Sequence, residues 1–266
     1  MTFDIEKELE FLKKNGWIKD VEAISKMFNV SREVNKRTKK KLSINNCINN
    51  SYILPEKKNI FNAFKLFEMK DTRILILGQD PYTKETRAHG YAFSFKNGQQ
   101  DADDSLLNIF KAIAIYRKKS GKNIKKDVVG WNTNLENWAR DNNVLLLNTA
   151  LTYDKTNSLT ERKNAWEPFI TTIIQNLLAS ENKLVVFLWG NKAENLFNEC
   201  IKNIEIKRNI LVLKSNHPSP LSVNNGGNFP KLAPVHFAAC DNFLDEDKKE
   251  KDKLNTWKNI DTWLNK

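Results

Sequence analysis

Cysteine, histidine and glycine are all scarce in this 266-residue chain, with 3, 3 and 9 copies. The cysteines, Cys47, Cys200 and Cys240, are odd in number and far apart. They exclude a disulfide framework, and they exclude a four-cysteine zinc or iron–sulfur site within one chain. A reducing, cytoplasmic location is the expectation. No apolar run approaches the ~18 residues of a membrane span, so no membrane association is expected. Met1 to Glu8 carries acids early and has no apolar signal core, which argues against secretion. Acid is the minority charge: 32 Asp and Glu against 43 Lys and Arg leave a net +11. With a pI near 9.4, a polyanion is the first partner to consider. At 40% hydrophobic and 28% charged, the composition is that of neither a disordered chain nor a membrane protein. The length supports one sizeable core or at most two small ones.

Residues 1–50 read as helical and polar, with Phe3, Ile5, Leu9, Phe11 and Leu12 at roughly helical spacing. A basic run from Arg32 to Lys41 follows, read either as a solvated face or arm or as a non-specific phosphate contact. After residue 70 four short apolar runs stand out: Arg73–Leu77, Val144–Leu147, Leu184–Trp189 and Asn209–Lys214. They lack polar alternation, as strands buried on both faces do. Helical stretches accompany them at Ser105–Lys119, Asn132–Arg140, Trp166–Ala179 and Lys192–Lys202. This alternation predicts an α/β protein: a three-layer α/β/α arrangement around a parallel sheet of about four strands. No linker or repeat interrupts the chain, so 1–266 is read as a single domain. The charged stretch Asp245–Lys253 is read as a solvated helix.

Open parallel sheets bind ligands at the carboxyl ends of their strands. The first run is followed by Gly78-Gln79-Asp80-Pro81-Tyr82, and the second by Asn148-Thr149. Gly190-Asn191 follows the third, and Ser215-Asn216-His217-Pro218-Ser219-Pro220-Leu221-Ser222 the fourth. Together these ends supply a carboxylate, an amide and an imidazole. No GxGxxG follows the first strand, and Gly190-Asn191-Lys192 lacks the rest of a P-loop, so no nucleotide cofactor is expected. An Asp before Pro81 also suits a plain turn or helix cap, and a lone loop histidine is commonly structural.

GQDPY (78–82), AHGYAFS (88–94), LLLNTALT (145–152), FLWG (187–190) and HPSPLS (217–222) occur in this order. With them the chain resembles the main family of uracil-DNA glycosylases. SLLNIF (105–110), Asn157-Ser158 and Trp166-Glu167 extend the resemblance, which covers residues 53 to 240 and leaves 1–50 as a divergent helical and basic extension.

The resemblance implies a monomeric, cofactor-free and metal-free hydrolase. Such an enzyme flips a base out of single- or double-stranded DNA and cuts its N-glycosidic bond. Breaking that bond puts positive charge on the sugar and negative charge on the base, so the site needs an anion near the first and a donor near the second. By resemblance Asp80 positions the attacking water and stabilises the sugar cation, and neutral His217 donates to uracil O2. Asn148 can present a donor and an acceptor to one base edge, which fits uracil N3–H and O4 and not cytosine. Phe93 offers a stacking face. Tyr82 resembles the residue that crowds C5 and rejects the thymine methyl, and Gln79 holds the base. Leu221 would fill the gap left in the duplex, with Ser105, Ser219 and Ser222 as phosphate contacts. His89 and His236 read as structural. No lysine is placed for a Schiff base, so no strand-cutting step is expected. A proteinaceous inhibitor is a partner to expect of such an enzyme.

Three segments that should face DNA depart from the family. Thr83-Lys84-Glu85-Thr86-Arg87 stands where the family usually has His and then Gly-Pro. Gln99-Gln100-Asp101-Ala102-Asp103-Asp104, an acidic loop, replaces a proline-rich one. Val223–Pro234 replaces a shorter basic-aromatic stretch and reads as a long loop. The chemistry is therefore intact and the DNA grip altered. Uracil is the reading that Tyr82 and Asn148 favour. A modified pyrimidine, as in phage DNA excised for defence, and a non-catalytic DNA-binding homologue stay open at this point.

Overall fold

The computed structural model describes residues 3–33, 41–98, 104–122, 128–180, 182–202, 204–206, 209–253 and 255–260. Positions 34–40 of the basic run and 99–103 of the acidic loop lie outside the described residues.

The helices are α1 (Ile5–Lys14), α2 (Val21–Asn29), α3 (Ile44–Ile48), α4 (Asp104–Lys119), α5 (Glu136–Asp141), α6 (Leu159–Leu178), α7 (Asn191–Ile201), α8 (Pro220–Asn224) and α9 (Phe229–Asp245). The strands are β1 (Arg32–Glu33), β2 (Lys41–Leu42), β3 (Ile74–Gly78), β4 (Val144–Asn148), β5 (Leu184–Trp189) and β6 (Ile210–Ser215). β1 and β2 form an antiparallel ribbon. The other four make one parallel sheet in the order β4-β3-β5-β6.

β3, β4 and β5 are buried along their whole length, as their unbroken Val, Ile and Leu runs require. β6 differs from the expectation of burial on both faces. It is an edge strand, and most of its residues are only half-buried. α9 packs against β5 and β6 and carries α4 on it, and α6 packs on α7. α6 begins earlier than expected because Ser158 and Glu161 form a capping box: Ser158 Oγ accepts from Glu161 N, and Glu161 Oε2 accepts from Ser158 N. α5 begins later than expected. The side chains of Asn132 and Asn134 accept the backbone N–H groups of Asn134 and Glu136, and these turns hold 132–135 out of the helix.

The N-terminal segment contributes to the main core. Leu9, Leu12, Trp17, Ile24 and Phe28 are buried in it. The Phe28 ring meets Phe61, Trp166 and Phe169 at centroid distances of 6.5, 6.0 and 5.4 Å. Phe28 and Trp17 thereby tie α2 and the turn after α1 to α6 and to the approach to β3.

Two expectations about the segments on either side of α9 are corrected. The stretch 223–234 is a short turn between helices: α8 runs to Asn224, and α9 starts at Phe229 with Pro230 in its first turn, where proline is tolerated. Asn216 and Asn228 exchange backbone-to-side-chain hydrogen bonds of 2.8 Å, which staple the exit of β6 to the start of α9.

The stretch Asp245–Lys253 is not a helix. α9 ends at Asp245, and only Glu250–Asp252 forms a 3₁₀ turn. Buried carboxylates turn the chain back. Asp245 accepts from Asn255 N at 2.8 Å, and Asp241 accepts from Trp257 N, Lys258 N and the Tyr116 hydroxyl, each at 3.0 Å. Burial pushes the Asp241 carboxyl up to about 6 against the pull of these donors. The clasp seats Trp257 on Phe237, stacked at 4.1 Å, and against Phe187 and Trp138 at 5.4 and 5.0 Å. Trp257→Ala should therefore lower unfolding stability by ~3–5 kcal/mol in urea titrations. A loss below ~1 kcal/mol would mean that the tail is dispensable to the core.

Candidate active site

The order β4-β3-β5-β6 reverses direction at β3, so the carboxyl ends of β3 and β5 flank the topological switch point of the sheet. Parallel register pairs Gly78 with Asn148, which brings the GQDPY exit beside the asparagine. A Cβ on Gly78 would stand 2.3 Å from Asn148 Oδ1 and 2.6 Å from Ala92 Cβ, so only glycine admits the amide at this point. Thr149 fixes the same turn: its N–H donates to Gly78 O at 3.1 Å, and its hydroxyl donates to Gln79 O at 2.8 Å. Just after β5, Gly190 has φ +94° and lets His217 approach; a Cβ there would lie 3.1 Å from His217 Cβ.

Two neighbouring cavities open at these strand ends. One, of about 270 Å³, is lined by Gln79, Asp80, Tyr82, Phe93, Asn148 and His217 among others, and Ser105 at the start of α4 also borders it. The second, of about 530 Å³, is bordered by Ser219, Leu221 and Ser222, and shares Gly78, Gln79 and His217 with the first. All ten residues nominated from the sequence thus line one cavity or the other. His89 and His236 line neither. His89 is buried against Ser94 Oγ at 2.9 Å, and burial draws its ring down to about 4, so it is a neutral structural histidine. His236 lies on α9, drawn down by burial.

Asp80 is half-buried, with both oxygens engaged. Oδ1 accepts from Gln79 Nε2 at 3.3 Å, and Oδ2 accepts from Arg162 Nη2 at 2.9 Å. Gln79 Oε1 in turn accepts from Lys192 Nζ at 3.0 Å. This fixes which end of the Gln79 amide faces the carboxylate. A carboxylate has about four acceptor positions, so two N–H donors leave Asp80 able to bind water.

His217 lies in the loop that leaves β6. Its Nδ1 accepts the Ser219 backbone N–H at 3.0 Å. That bond assigns the proton of the neutral ring to Nε2, leaving Nε2 as the donor. Asn108 Nδ2 on α4 donates to Pro218 O at 2.8 Å and anchors the loop. Asn148, the last residue of β4, is 6% exposed. Phe93 has φ +62°, a costly conformation for a bulky residue. Its ring sits 5.5 Å from Trp189 and 6.2 Å from His217. The Tyr82 ring stands edge-on to Phe95 at 4.9 Å, and the Arg87 guanidinium covers the Phe95 ring at 4.4 Å. Leu221, in the second helical position of α8, is 76% exposed, an unusual place for an apolar side chain this large.

Arg162 and Lys192 escape a reading of motifs. They reach Asp80 from α6 and Gln79 from α7; Arg162 sits in no strand-end motif, and Lys192, in the Gly190-Asn191-Lys192 turn after β5, lies outside the FLWG motif. Lys163 and Lys192 border a further cavity of about 280 Å³, and burial with the Lys192 charge holds the Lys163 ammonium below its usual range.

The arrangement sets a fixed carboxylate, a neutral imidazole donor, an amide edge and an aromatic face around one small cleft. It can hold a flat heterocycle while charge develops on it and on an attached group. Comparison with known proteins gives the same direction. The family model of the uracil DNA glycosylase superfamily matches residues 64–244. A uracil-DNA glycosylase of Francisella tularensis subsp. novicida (strain U112) is 36% identical over 204 residues, 76% of this chain and 84% of that protein. The crystal structure of mimivirus uracil-DNA glycosylase superposes with a TM-score of 0.59 at 25% identity, covering 74% of this chain and 73% of that one. The UNG structure from Nitratifractor salsuginis, at 20% identity and TM-score 0.58, shares the fold over 92% of this chain and 99% of its own. With the model match spanning both strand-end motifs and the sheet between them, this chain belongs to the uracil DNA glycosylase superfamily.

Proposed function

We propose that this protein hydrolyses the N-glycosidic bond of deoxyuridine in DNA, releasing uracil and leaving an abasic site. The observation that carries the reading is the convergence of Asp80, Asn148, Phe93, Tyr82 and His217 on one cavity of about 270 Å³. A cleft at the small end of ligand sites suits a single flipped base.

In the reaction the C1′–N1 bond breaks and its electron pair stays with the base. His217 Nε2–H donates to uracil O2 as negative charge gathers there. Asp80 stabilises the oxocarbenium-like sugar and orients the water whose oxygen bonds to C1′. The proton lost by that water passes to Asp80, and the uracil anion is protonated from solvent on release. Asn148 reads N3–H and O4, Phe93 stacks on the ring, and Tyr82, braced by Phe95, occupies the space a C5 substituent would need. Gln79 holds the base from the β3 exit. Leu221 fills the vacated stack, and Ser105, Ser219 and Ser222 contact phosphates. The +11 charge supplies non-specific attraction to the DNA backbone. We take the enzyme to be a cytoplasmic monomer, and a proteinaceous inhibitor would have to cover Leu221 and the cavity mouths. No observation specifically favours a modified pyrimidine.

The reading is tested at the base edge. Asn148→Asp replaces a donor–acceptor pair with two acceptors, so uracil O4 meets a repelling oxygen. The rate on a deoxyuridine oligonucleotide should fall by at least ~30-fold, and preference over deoxycytidine should narrow, since a lost edge contact discriminates by ~1–3 kcal/mol or more. Unchanged preference in Asn148→Asp would remove the edge-reading role.

A further inference from the structure

Arg162 breaks a local rule. It lies in the first turn of α6, where the helix dipole disfavours a cation, and its side chain is only 3% exposed. Buried charges persist where specific partners hold them. The partners here are the Asp154 carbonyl at 3.2 Å, the Asn157 carbonyl, the Tyr153 ring face at 4.8 Å and the Asp80 carboxylate at 2.9 Å. The carbonyls belong to a loop that is itself fixed. Burial pushes the Asp154 carboxyl up, but hydrogen bonds from Thr156 and Asn157 outweigh it and hold the group below the usual carboxylate range. The guanidinium is therefore oriented before any substrate arrives.

We infer that Arg162 is a positioning residue for Asp80: it locks the carboxylate rotamer from one side, while the Gln79 amide, oriented by Lys192, locks it from the other. Asp80 lies at the exit of β3 just before Pro81, and its side chain is 18% exposed. Two N–H groups, those of Gln79 Nε2 and Arg162 Nη2, fix the plane of the carboxylate. A displacement of ~1 Å at a reacting group can cost ~100-fold in rate. Two opposing effects of Arg162 can be weighed. Its charge screens part of the negative field that Asp80 offers the sugar. That charge is shared with two carbonyls and an aromatic face, and a single N–H reaches the carboxylate, so orientation is the larger effect. The inference rests on the glycosylase reading and adds to it a residue outside the strand-end motifs.

The experiment is a double-mutant cycle on the full chain. Wild type, Arg162→Gln, Arg162→Lys, Asp80→Asn and both Arg162 changes combined with Asp80→Asn are compared. Three quantities are read: single-turnover release of uracil from a deoxyuridine oligonucleotide, affinity for the same oligonucleotide carrying uncleavable 2′-fluorodeoxyuridine, and thermal midpoint. Arg162→Gln should slow release by ~30-fold or more, with affinity changed by less than ~3-fold. Arg162→Lys should fall between, because one ammonium can reach Asp80 but cannot also hold both carbonyls. In the Asp80→Asn background either change should alter the rate by less than ~3-fold, since there is no carboxylate left to orient. Should Arg162→Gln fail to fold, the Arg162→Lys arm carries the same comparison, with a loss of ~5-fold or more expected. An unchanged rate in a folded variant overturns the inference. So does an equal loss with and without Asp80, which would make Arg162 a general prop for the 154–157 loop. Absence of uracil release by wild type would instead overturn the glycosylase reading, so the two failures are distinguishable.

Discussion

Asp80→Asn should slow uracil release at least ~100-fold while affinity for uncleaved DNA changes by less than ~3-fold. The substitution keeps the shape and removes the charge. Its remaining carbonyl oxygen can still accept from Arg162 Nη2, which now holds Oδ2 at 2.9 Å. The new amide NH₂ then faces Gln79 Nε2, a donor against a donor. Gln79 cannot turn over freely, because Lys192 Nζ holds its other end at 3.0 Å. The variant thus loses both the anion opposite the sugar cation and one of the contacts that set the plane of the group. These are transition-state effects, and they should appear in the chemical step with little change in binding. The check is single-turnover excision beside equilibrium binding to an uncleavable oligonucleotide. A variant as fast as wild type would remove Asp80 from the reaction.

His217→Leu has a comparable expected effect for a different reason. The Ser219 N–H bond to Nδ1 leaves Nε2–H as a neutral, preorientated donor. A neutral donor costs no charge desolvation on closing over the base, and it strengthens only as the base becomes an anion. Loss of one such donor typically costs ~100–1000-fold in rate, or ~2.7–4 kcal/mol. Leucine fills the volume without donating. The rate should fall by that factor, and binding of the abasic product, which lacks the base, should change by less than ~3-fold. If product binding fell as far as the rate, His217 would be acting as a fold or DNA contact.

The sheet and the strand-end residues are legible in the sequence for one physical reason. Strands buried on both faces read as unbroken apolar runs, and the residues after them have nowhere to go but the ligand crevice. Asp80 follows such a run by a few positions and Asn148 closes one, while His217 follows the run of β6, which reads the same way although it is a half-buried edge strand. What escapes the sequence is contact between distant segments. Arg162 reaches Asp80 from 82 residues away, and nothing in the surrounding Thr160-Glu161-Arg162-Lys163 announces burial. Trp257 lies in a charged tail whose composition suggests solvent, yet two buried aspartates on α9 draw it into the core. The N-terminal segment reads as polar because its burying residues, Leu9, Leu12 and Phe28, are thinly spaced among charges. The stretch 223–234 reads as a loop because prolines and glycines punctuate it. Pro230, however, sits where a helix tolerates proline, and the Asn216–Asn228 pair closes the turn ahead of it.

Excision of uracil from DNA at the Asp80–His217 cleft is the proposal on which every prediction about the site depends. It is tested most directly with purified protein and a labelled oligonucleotide carrying one deoxyuridine, in EDTA, with alkali to cut at abasic sites. An Asp80→Asn, His217→Leu double variant serves as the control. Wild type should cleave rapidly at the deoxyuridine position and not at thymidine or deoxycytidine, and the double variant should cleave almost not at all. No cleavage by a folded wild-type protein that binds the oligonucleotide would contradict the proposal, as would equal cleavage by the double variant.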